Sequence, residues 1–266
     1  MPSVSWLSVA PVKGLALVRV DEVRLEPFGV LENRRFHVLT RDGRFVNGLT
    51  RLKRSLFEVV PAWDAESDSL RLTFPDGRVV EDVVRLGDPV ATWFYRRAEH
   101  GRVVEGPWSE ALSEFAGQPL WLARTDRPGG AVDRSDGAVS LVSDASVDEL
   151  ARQAGVDRVD ARRFRMLIGL AGCDPHEEDE WIGRAVLIGD AVVRVREQVA
   201  RCAITTQDPD SGRRDLDTLR VIKEYRGVRG TKSLDFGVYG EVAEPGRIRV
   251  GDAAEPLASD LSSSAR

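Results

Sequence analysis

Hydrophobic and polar positions alternate with a period of two through much of the first half of the chain. Ser69-Leu-Arg-Leu-Thr-Phe74 alternates strictly, and Asp76-Gly77 follows as a turn into Val79-Val80. Alternation closed by an Asp-Gly step predicts a β-hairpin. Val18–Leu25 mixes alternation with β-branched residues, which predicts a strand. Arg35–Leu39 predicts another, and Arg41-Asp-Gly-Arg44 turns the chain back into Phe45-Val46. Many short strands separated by such turns point to a barrel or sandwich.

The second half mixes two periods. A short helix is expected at Ser109–Ala116, with Ser109 as N-cap, Glu110 in the first turn, and Gly117 and Pro119 as stops. A second is expected at Asp144–Ala154, capped by Asp144 or Ser146 and ended by Gly155, with Val147, Leu150 and Ala151 on one face. A third covers Leu216–Tyr225, with Leu219 and Ile222 facing a core. Val186–Val195 reads as a hairpin around Gly189-Asp190. Phe236–Val242 and Arg247–Val250 read as closing strands around the turn Glu244-Pro245-Gly246. The polar, glycine-rich stretch Arg124–Gly137 is the best boundary. The expected organisation is a β domain over residues 1–125, a second over 126–256, and a disordered tail over 257–266. The fold class is mainly β (α+β) with a few short helices.

Charge and composition narrow the function. The 266 residues carry a net charge of -5, so no global field favours nucleic acid or an anionic membrane. No stretch of about 18 apolar residues exists to span a bilayer. The N-terminus lacks a basic region before its apolar residues, and Pro11 and Lys13 interrupt them, so no signal peptide is expected and the location is expected to be cytoplasmic. The two cysteines, Cys173 and Cys202, form no CxxC pair, which excludes a zinc ribbon, a four-cysteine iron–sulfur cluster and a disulfide framework. His37, His100 and His176 are scattered and build no local metal motif.

The densest chemistry lies in Arg201–Gly212, RCAITTQDPDSG. A cysteine near a strand end is followed by two hydroxyls and a turn, and Arg201 could favour the thiolate. On the residues alone, Cys202 reads first as a small buried hydrophobe, as most free cysteines are. Asp174, Glu177, Glu178 and Asp179 with His176 form an acidic cluster, read as a solvated loop in preference to a divalent-cation site. Cys173 is read as structural.

RCAITTQDPDSG resembles the signature of the MOSC domain, the C-terminal domain of molybdenum-cofactor sulfurase. Pro11-Val12-Lys13 resembles the family's N-terminal PVK segment. Glu178-Asp179-Glu180-Trp181 with Leu187-Ile188-Gly189-Asp190 resembles its EDxW…IGD stretch. Phe236-Gly237-Val238-Tyr239 and Pro245–Asp252 resemble its FGxY and PGxIxVGD ending. The resemblance spans nearly the whole chain and implies a β-barrel MOSC domain joined to an N-terminal MOSC-associated β-barrel domain. The arrangement is similar to the eukaryotic amidoxime-reducing component and to bacterial reductases of N-hydroxylated compounds.

The resemblance implies a molybdenum–molybdopterin cofactor with Cys202 as thiolate ligand to the metal and as the catalytic residue. It implies that Lys13, Arg35 and Arg165 hold the cofactor's phosphate, with Arg34 an adjacent ambiguity, and that Arg201, Thr205 and Tyr239 lie at the cofactor. A small-molecule substrate and an external electron-transfer protein are the implied partners, since the cysteines for a fused ferredoxin-like domain are missing. The alternative is a cofactor-binding or sulfur-carrier module with a persulfide on Cys202, as in the sulfurase-type relatives that also bind pyridoxal phosphate in a separate domain. Two departures stand out. Gly14 replaces the serine after PVK, and Met166-Leu167 replaces the Pro-Asn that follows Phe-Arg, which implies rearranged cofactor contacts or a more apolar substrate pocket.

Overall fold

The computed structural model describes residues 1–94, 97–127, 139–228 and 233–258. The chain is mostly β, as its alternation predicts. The largest sheet has eight strands and joins both ends of the sequence: Ser3–Val9 and Val18–Val20 lie in it beside Val139–Ser143, Ile168–Ala171, Ala185–Ile188, Ala191–Ala200, Asp235–Glu244 and Ala254–Pro256. A cut at residue 125 would therefore part Ser3–Val9 from its antiparallel partner Ile168–Ala171. A five-stranded sheet carries Val12-Lys13, Phe36–Thr40, Leu120–Thr125 and the long hairpin Arg85–Phe94/Arg97–Glu105. Two three-stranded sheets complete the fold. The expected barrels are not closed: among the described residues every sheet stays open.

Val18–Leu25, expected as one strand, is two. Val18–Val20 pairs with Ser3–Val9, whereas Glu22–Glu26 pairs with Gly246–Arg249 in a different sheet. The chain changes sheets at exposed Asp21, so the alternation continues although the partner changes.

Helix α1 spans Trp108–Ala116 and buries Trp108, Ala111, Leu112, Phe115 and Ala116, one stripe at helical spacing. It starts one residue earlier than expected, with Pro107 in the cap position. Ser109 does not cap it; its Oγ accepts a hydrogen bond from Leu122 N (3.1 Å). Helix α2 spans Asp144–Ala154, the expected range, but its cap is Ser143, which accepts from Ser146 N. Helix α3 spans Thr218–Arg226, capped by Asp217, two residues inside the expected start. The Arg124–Gly137 boundary falls partly, and the tail from 259 wholly, outside the described residues.

Three apolar clusters hold the fold. One fills the face of the eight-stranded sheet toward Leu25 and Ile248. A second, around Phe36, Leu72 and Trp108, belongs to the N-terminal half. The third packs Leu150, Phe164, Ile222 and Phe236 beneath α2 and α3. Cys202 lies where the strand Ala191–Ala200 leaves this helix-covered face and turns toward the N-terminal half.

Candidate functional site

Cys202 is exposed. It is extended (φ -123°, ψ 175°) and precedes a single 3-10 turn, Ala203–Thr206. Thr205 shapes that turn: its N (3.1 Å) and its Oγ1 (3.1 Å) both donate to Cys202 O, and its hydroxyl is 2.7 Å from that of Thr218 at the start of α3. Thr205 is buried, so it acts on the backbone beneath the thiol.

Arg201 anchors the other side. Its Nε donates to Phe236 O (2.7 Å) and its Nη1 to Phe164 O (2.9 Å), with the guanidinium 5.2 Å from the centre of the Phe164 ring. Phe164 and Phe236 are stacked 4.4 Å apart. Arg201 therefore ties the strand leading to Cys202 to the segments that begin at Phe164 and Phe236.

Lys13 is brought beside the segment that follows Arg35 through a pairing that local pattern does not reveal. The strand Val12-Lys13 runs parallel to Phe36–Thr40, with Lys13 beside His37. Lys13 is close enough to His37 to lower its pKa, and Arg35 stands one residue before the strand that begins at Phe36. Lys13 Nζ lies 5.4 Å from the Phe45 ring, which stacks on Phe94 at 4.3 Å. Arg35 donates to Arg127 O, and among the described residues its buried Nε has no hydrogen-bond partner. Burial, then the neighbouring Arg124, lowers the Arg35 pKa. A cation held against solvation with an unused donor is a site that an anion would stabilise.

Arg165 joins this group to the thiol's support. It sits in the left-handed region at φ 52°, directly after the Phe164 that Arg201 contacts. Its Nη2 donates to Leu15 O (2.7 Å), and its guanidinium lies 5.0 Å from the Phe57 ring. Arg34 Nη2 donates to Arg165 O (3.0 Å), so Arg34 braces the backbone at Arg165. Tyr239 is the outlier of the predicted set. It is paired in the sheet with Ser140 and Glu197, and its ring packs against the helix-side core.

Sequence reasoning missed Gln207 and His37. Gln207 is 7% exposed and donates from Nε2 to Gly48 O (2.7 Å), joining the cysteine turn to the N-terminal half. It was visible as part of the RCAITTQ signature, but its partner lies 159 residues away. His37 is fully buried, its Nε2 2.8 Å from Thr92 Oγ1 and its Nδ1 without a partner among the described residues. Burial first, and Lys13 second, push its pKa down to about 3.

The acidic cluster is a solvated loop only in part: Asp174 is exposed, but Glu178 turns inward. Glu178 is fully buried and accepts from Ser143 N (3.2 Å) and Ser146 Oγ (2.8 Å) at the start of α2; burial raises its pKa. Asp179 pairs with Arg226 of α3. These carboxylates fasten helices to the sheet, and among the described residues no group of three or more His, Cys, Asp or Glu could hold a metal ion. Cys173, half-buried, has its thiol pushed up to about 12 by burial and then by Glu177.

The two departures prove to be backbone and core matters. Gly14 has φ +94°, and a Cβ there would lie 3.1 Å from Val46 O. Leu167 is 2% exposed inside the main apolar cluster, so it belongs to the core and not to the wall of a more apolar pocket.

The MOSC domain family matches residues 114–255, and the MOSC N-terminal beta barrel domain matches residues 1–97. Human mitochondrial amidoxime reducing component 2 is 36% identical, covering 94% of this chain and 82% of that protein. Human mitochondrial amidoxime-reducing component 1 is 26% identical over 94% of this chain and 81% of its own length. A molybdenum cofactor sulfurase of Danio rerio is 26% identical over 88% of this chain, which covers 31% of that protein. With a family model matching more than half of its length and a relative 36% identical over 94% of it, this chain belongs to the MOSC domain family.

Proposed function

We propose that this chain is a molybdenum-cofactor-dependent oxidoreductase that reduces N-hydroxylated compounds, with Cys202 as the thiolate ligand to molybdenum. The observation that carries the reading is the exposed Cys202 thiol, linked through Arg201, Phe164 and Arg165 to the strand end that presents Lys13 and Arg35. The residues fit the cofactor. A thiolate is a soft donor suited to such a metal, and the buried, unpartnered Nε of Arg35 suits a phosphate. Relatives named as amidoxime-reducing components support the reaction class, and sulfurase relatives support the cofactor.

When bound, the cofactor supplies two-electron chemistry: R–NH–OH, two protons and two electrons give R–NH2 and water. The protein's own residues hold and orient it. Lys13, Arg35 and Arg165 bind the phosphate, Arg201 and Thr205 fix the backbone on either side of Cys202, and Tyr239 supports the adjoining sheet. These 266 residues carry two cysteines, too few for an iron–sulfur cluster, so the electrons are delivered to the site by an electron-transfer unit outside them. No helix of the described residues is long and apolar enough to cross a membrane. A cytoplasmic setting would keep both thiols reduced.

The test is purification from a host that makes the cofactor, with metal and pterin measured in the wild type and in Cys202→Ser. Reduction of a simple amidoxime is then followed with a chemical electron donor. Wild type is expected to hold molybdenum and turn over, and Cys202→Ser to lose turnover by at least about a hundredfold with weakened molybdenum retention. Equal molybdenum and equal turnover in both proteins would refute the ligand assignment. A Cys202 persulfide without molybdenum would favour the sulfur-carrier reading.

A further inference from the structure

The loop 47–58 of the N-terminal half faces the segment 207–214, just beyond the cysteine turn, across a cleft of about 660 Å³. Arg51, Lys53, Arg54, Arg213 and Arg214 line it, and Glu58 is its one acidic residue among those described. Glu58 pairs with Arg54 at 3.0 Å. The nearby carboxylates are engaged elsewhere: Asp215 with Arg163 (2.8 Å), Asp210 with Arg162 (2.6 Å), and Asp208 with the N and Oγ of Ser211 (2.8 and 2.7 Å). Among the described residues, no carboxylate pairs with Arg51, Lys53, Arg213 or Arg214. Four cations so placed are notable in a chain whose net charge is -5.

The floor of the cleft adds a second signal. Gln207 Nε2 is fixed on Gly48 O, which assigns the other amide atom as Oε1. That Oε1 is buried and, among the described residues, accepts no hydrogen bond. The walls approach closely at two glycines: a Cβ on Gly48 would lie 2.8 Å from Gln207 Oε1, and one on Gly212 would lie 2.0 Å from Ser55 Oγ. The cleft thus combines a cationic rim with an unused buried acceptor. It also continues toward the thiol. A neighbouring cavity of about 380 Å³ is lined by Ala203 and Thr206 of the cysteine turn and shares Arg214 with the cleft.

We propose that this cleft binds the phosphate-bearing end of a small-molecule substrate, so that the N-hydroxylated compounds this protein reduces are phosphate esters or polyphosphates. Unpaired guanidinium groups match phosphate oxygens in pairs, and Gln207 Oε1 takes a hydroxyl or N–H donor on the same molecule. The volume lies within the roughly 300–1,000 Å³ range of small-ligand sites, and the concave shape suits a small polyanion better than a flat protein face. The assignment of this ligand as substrate rests on the reductase reading; anion binding by the cleft does not.

The experiment has two arms. In the first, inorganic pyrophosphate is titrated calorimetrically into the purified protein and into the fourfold variant Arg51→Gln, Lys53→Gln, Arg213→Gln, Arg214→Gln. The wild type is expected to bind at least about tenfold more tightly, and raised salt is expected to weaken that binding. Arg51→Gln and Arg214→Gln alone, with circular dichroism unchanged, are each expected to lose part of it. Equal binding by all four proteins overturns the proposal.

The second arm compares an N-hydroxylated compound with its phosphate ester in cofactor-loaded protein. The ester is expected to have a KM lower by about tenfold in the wild type, with the advantage lost in the fourfold variant and kcat on the neutral compound retained. Inorganic phosphate at the same concentration is expected to compete only weakly, which separates a substrate tail from free phosphate. An unchanged KM for the ester overturns the substrate assignment. So does loss of molybdenum and pterin from the fourfold variant, which would make these cations cofactor anchors, or a raised KM confined to an acidic electron-donor protein, which would make the cleft a docking face. Pyrophosphate binding without turnover on either compound would refute the reductase reading and leave the anion site standing.

Discussion

His37 makes the stability of the fold depend on pH. Its ring is fully buried, edge-on to Phe94 at 5.4 Å, and it shares one hydrogen bond with Thr92. Burial and then Lys13 push its pKa down from the ordinary 6.5 to about 3. The folded protein therefore refuses a proton that the unfolded chain accepts below 6.5. The stability contributed by the neutral ring is fully present above 6.5 and is lost as pH falls toward about 3. Each pH unit below the unfolded value is worth about 1.4 kcal/mol, so the loss reaches about 2 kcal/mol near pH 5. His37→Gln can keep a hydrogen bond to Thr92 but cannot titrate. Urea unfolding of both proteins at about pH 7.5 and about pH 5 isolates the ring, because the other titrating groups are common to both. The wild type is expected to lose about 2 kcal/mol more than the variant over that interval. Equal losses would mean that the ring gains its proton inside the fold, and the burial argument would be refuted.

Gly169→Ala would place a Cβ 2.0 Å from the Trp6 indole, which is held by Asp144 (2.9 Å) and covered by Arg19 (4.0 Å); a stability loss of about 1–3 kcal/mol is expected, and an unchanged urea midpoint would contradict it. Asp215→Asn removes the charge opposite Arg163, whose side chain is 6% exposed. Because Asp215 itself is 43% exposed, the expected loss is about 1–3 kcal/mol, below that of a fully buried pair, and thermal unfolding at low and high salt reads it. Exposed Cys202 is expected to alkylate well before Cys173, whose thiol is pushed up to about 12; peptide mapping after brief iodoacetamide treatment near neutral pH would show the reverse order if that account of Cys173 were mistaken.

What could be read from the sequence follows the range of the forces involved. Helix α2 was legible to the residue because its apolar stripe and Gly155 stop are local, although its cap, Ser143, was not assigned. The hairpin Arg85–Phe94/Arg97–Glu105 was missed because Gly87 and Pro89 interrupt the alternation, and the register shifts between Leu86 and Pro89. Cys202, Lys13, Arg35 and Arg165 were singled out by motif, but their grouping depends on contacts between distant segments. The Lys13–His37 register is a parallel pairing, and the Arg165–Leu15 hydrogen bond spans 150 residues. No local period encodes either. The acidic cluster misled for the opposite reason: its composition is that of a solvated loop, yet Glu178 is drawn inward by the hydroxyls and N–H groups at the start of α2.

Gly14 and Leu167 show how a departure from a family pattern can arise from the scaffold. A serine on the present backbone at 14 would need φ +94°, a region that side chains other than glycine enter at a cost of about 1–2 kcal/mol. The turn also matters to the site, since it carries the chain from Lys13 to the Leu15 carbonyl that receives Arg165. Glycine there lets both contacts form from adjacent residues. Leu167 completes the same logic from the other side of the seam. Its N donates to Ser140 Oγ (3.0 Å), its O accepts from Ser8 N (2.9 Å), and its side chain lies in the main core. An asparagine at this position would need partners for a buried amide, whereas leucine secures the strand that begins at Ile168 and so fixes where Arg165 is presented. Both substitutions act by holding backbone in place, and the groups available to a ligand at this seam remain the Cys202 thiol and the cations around it.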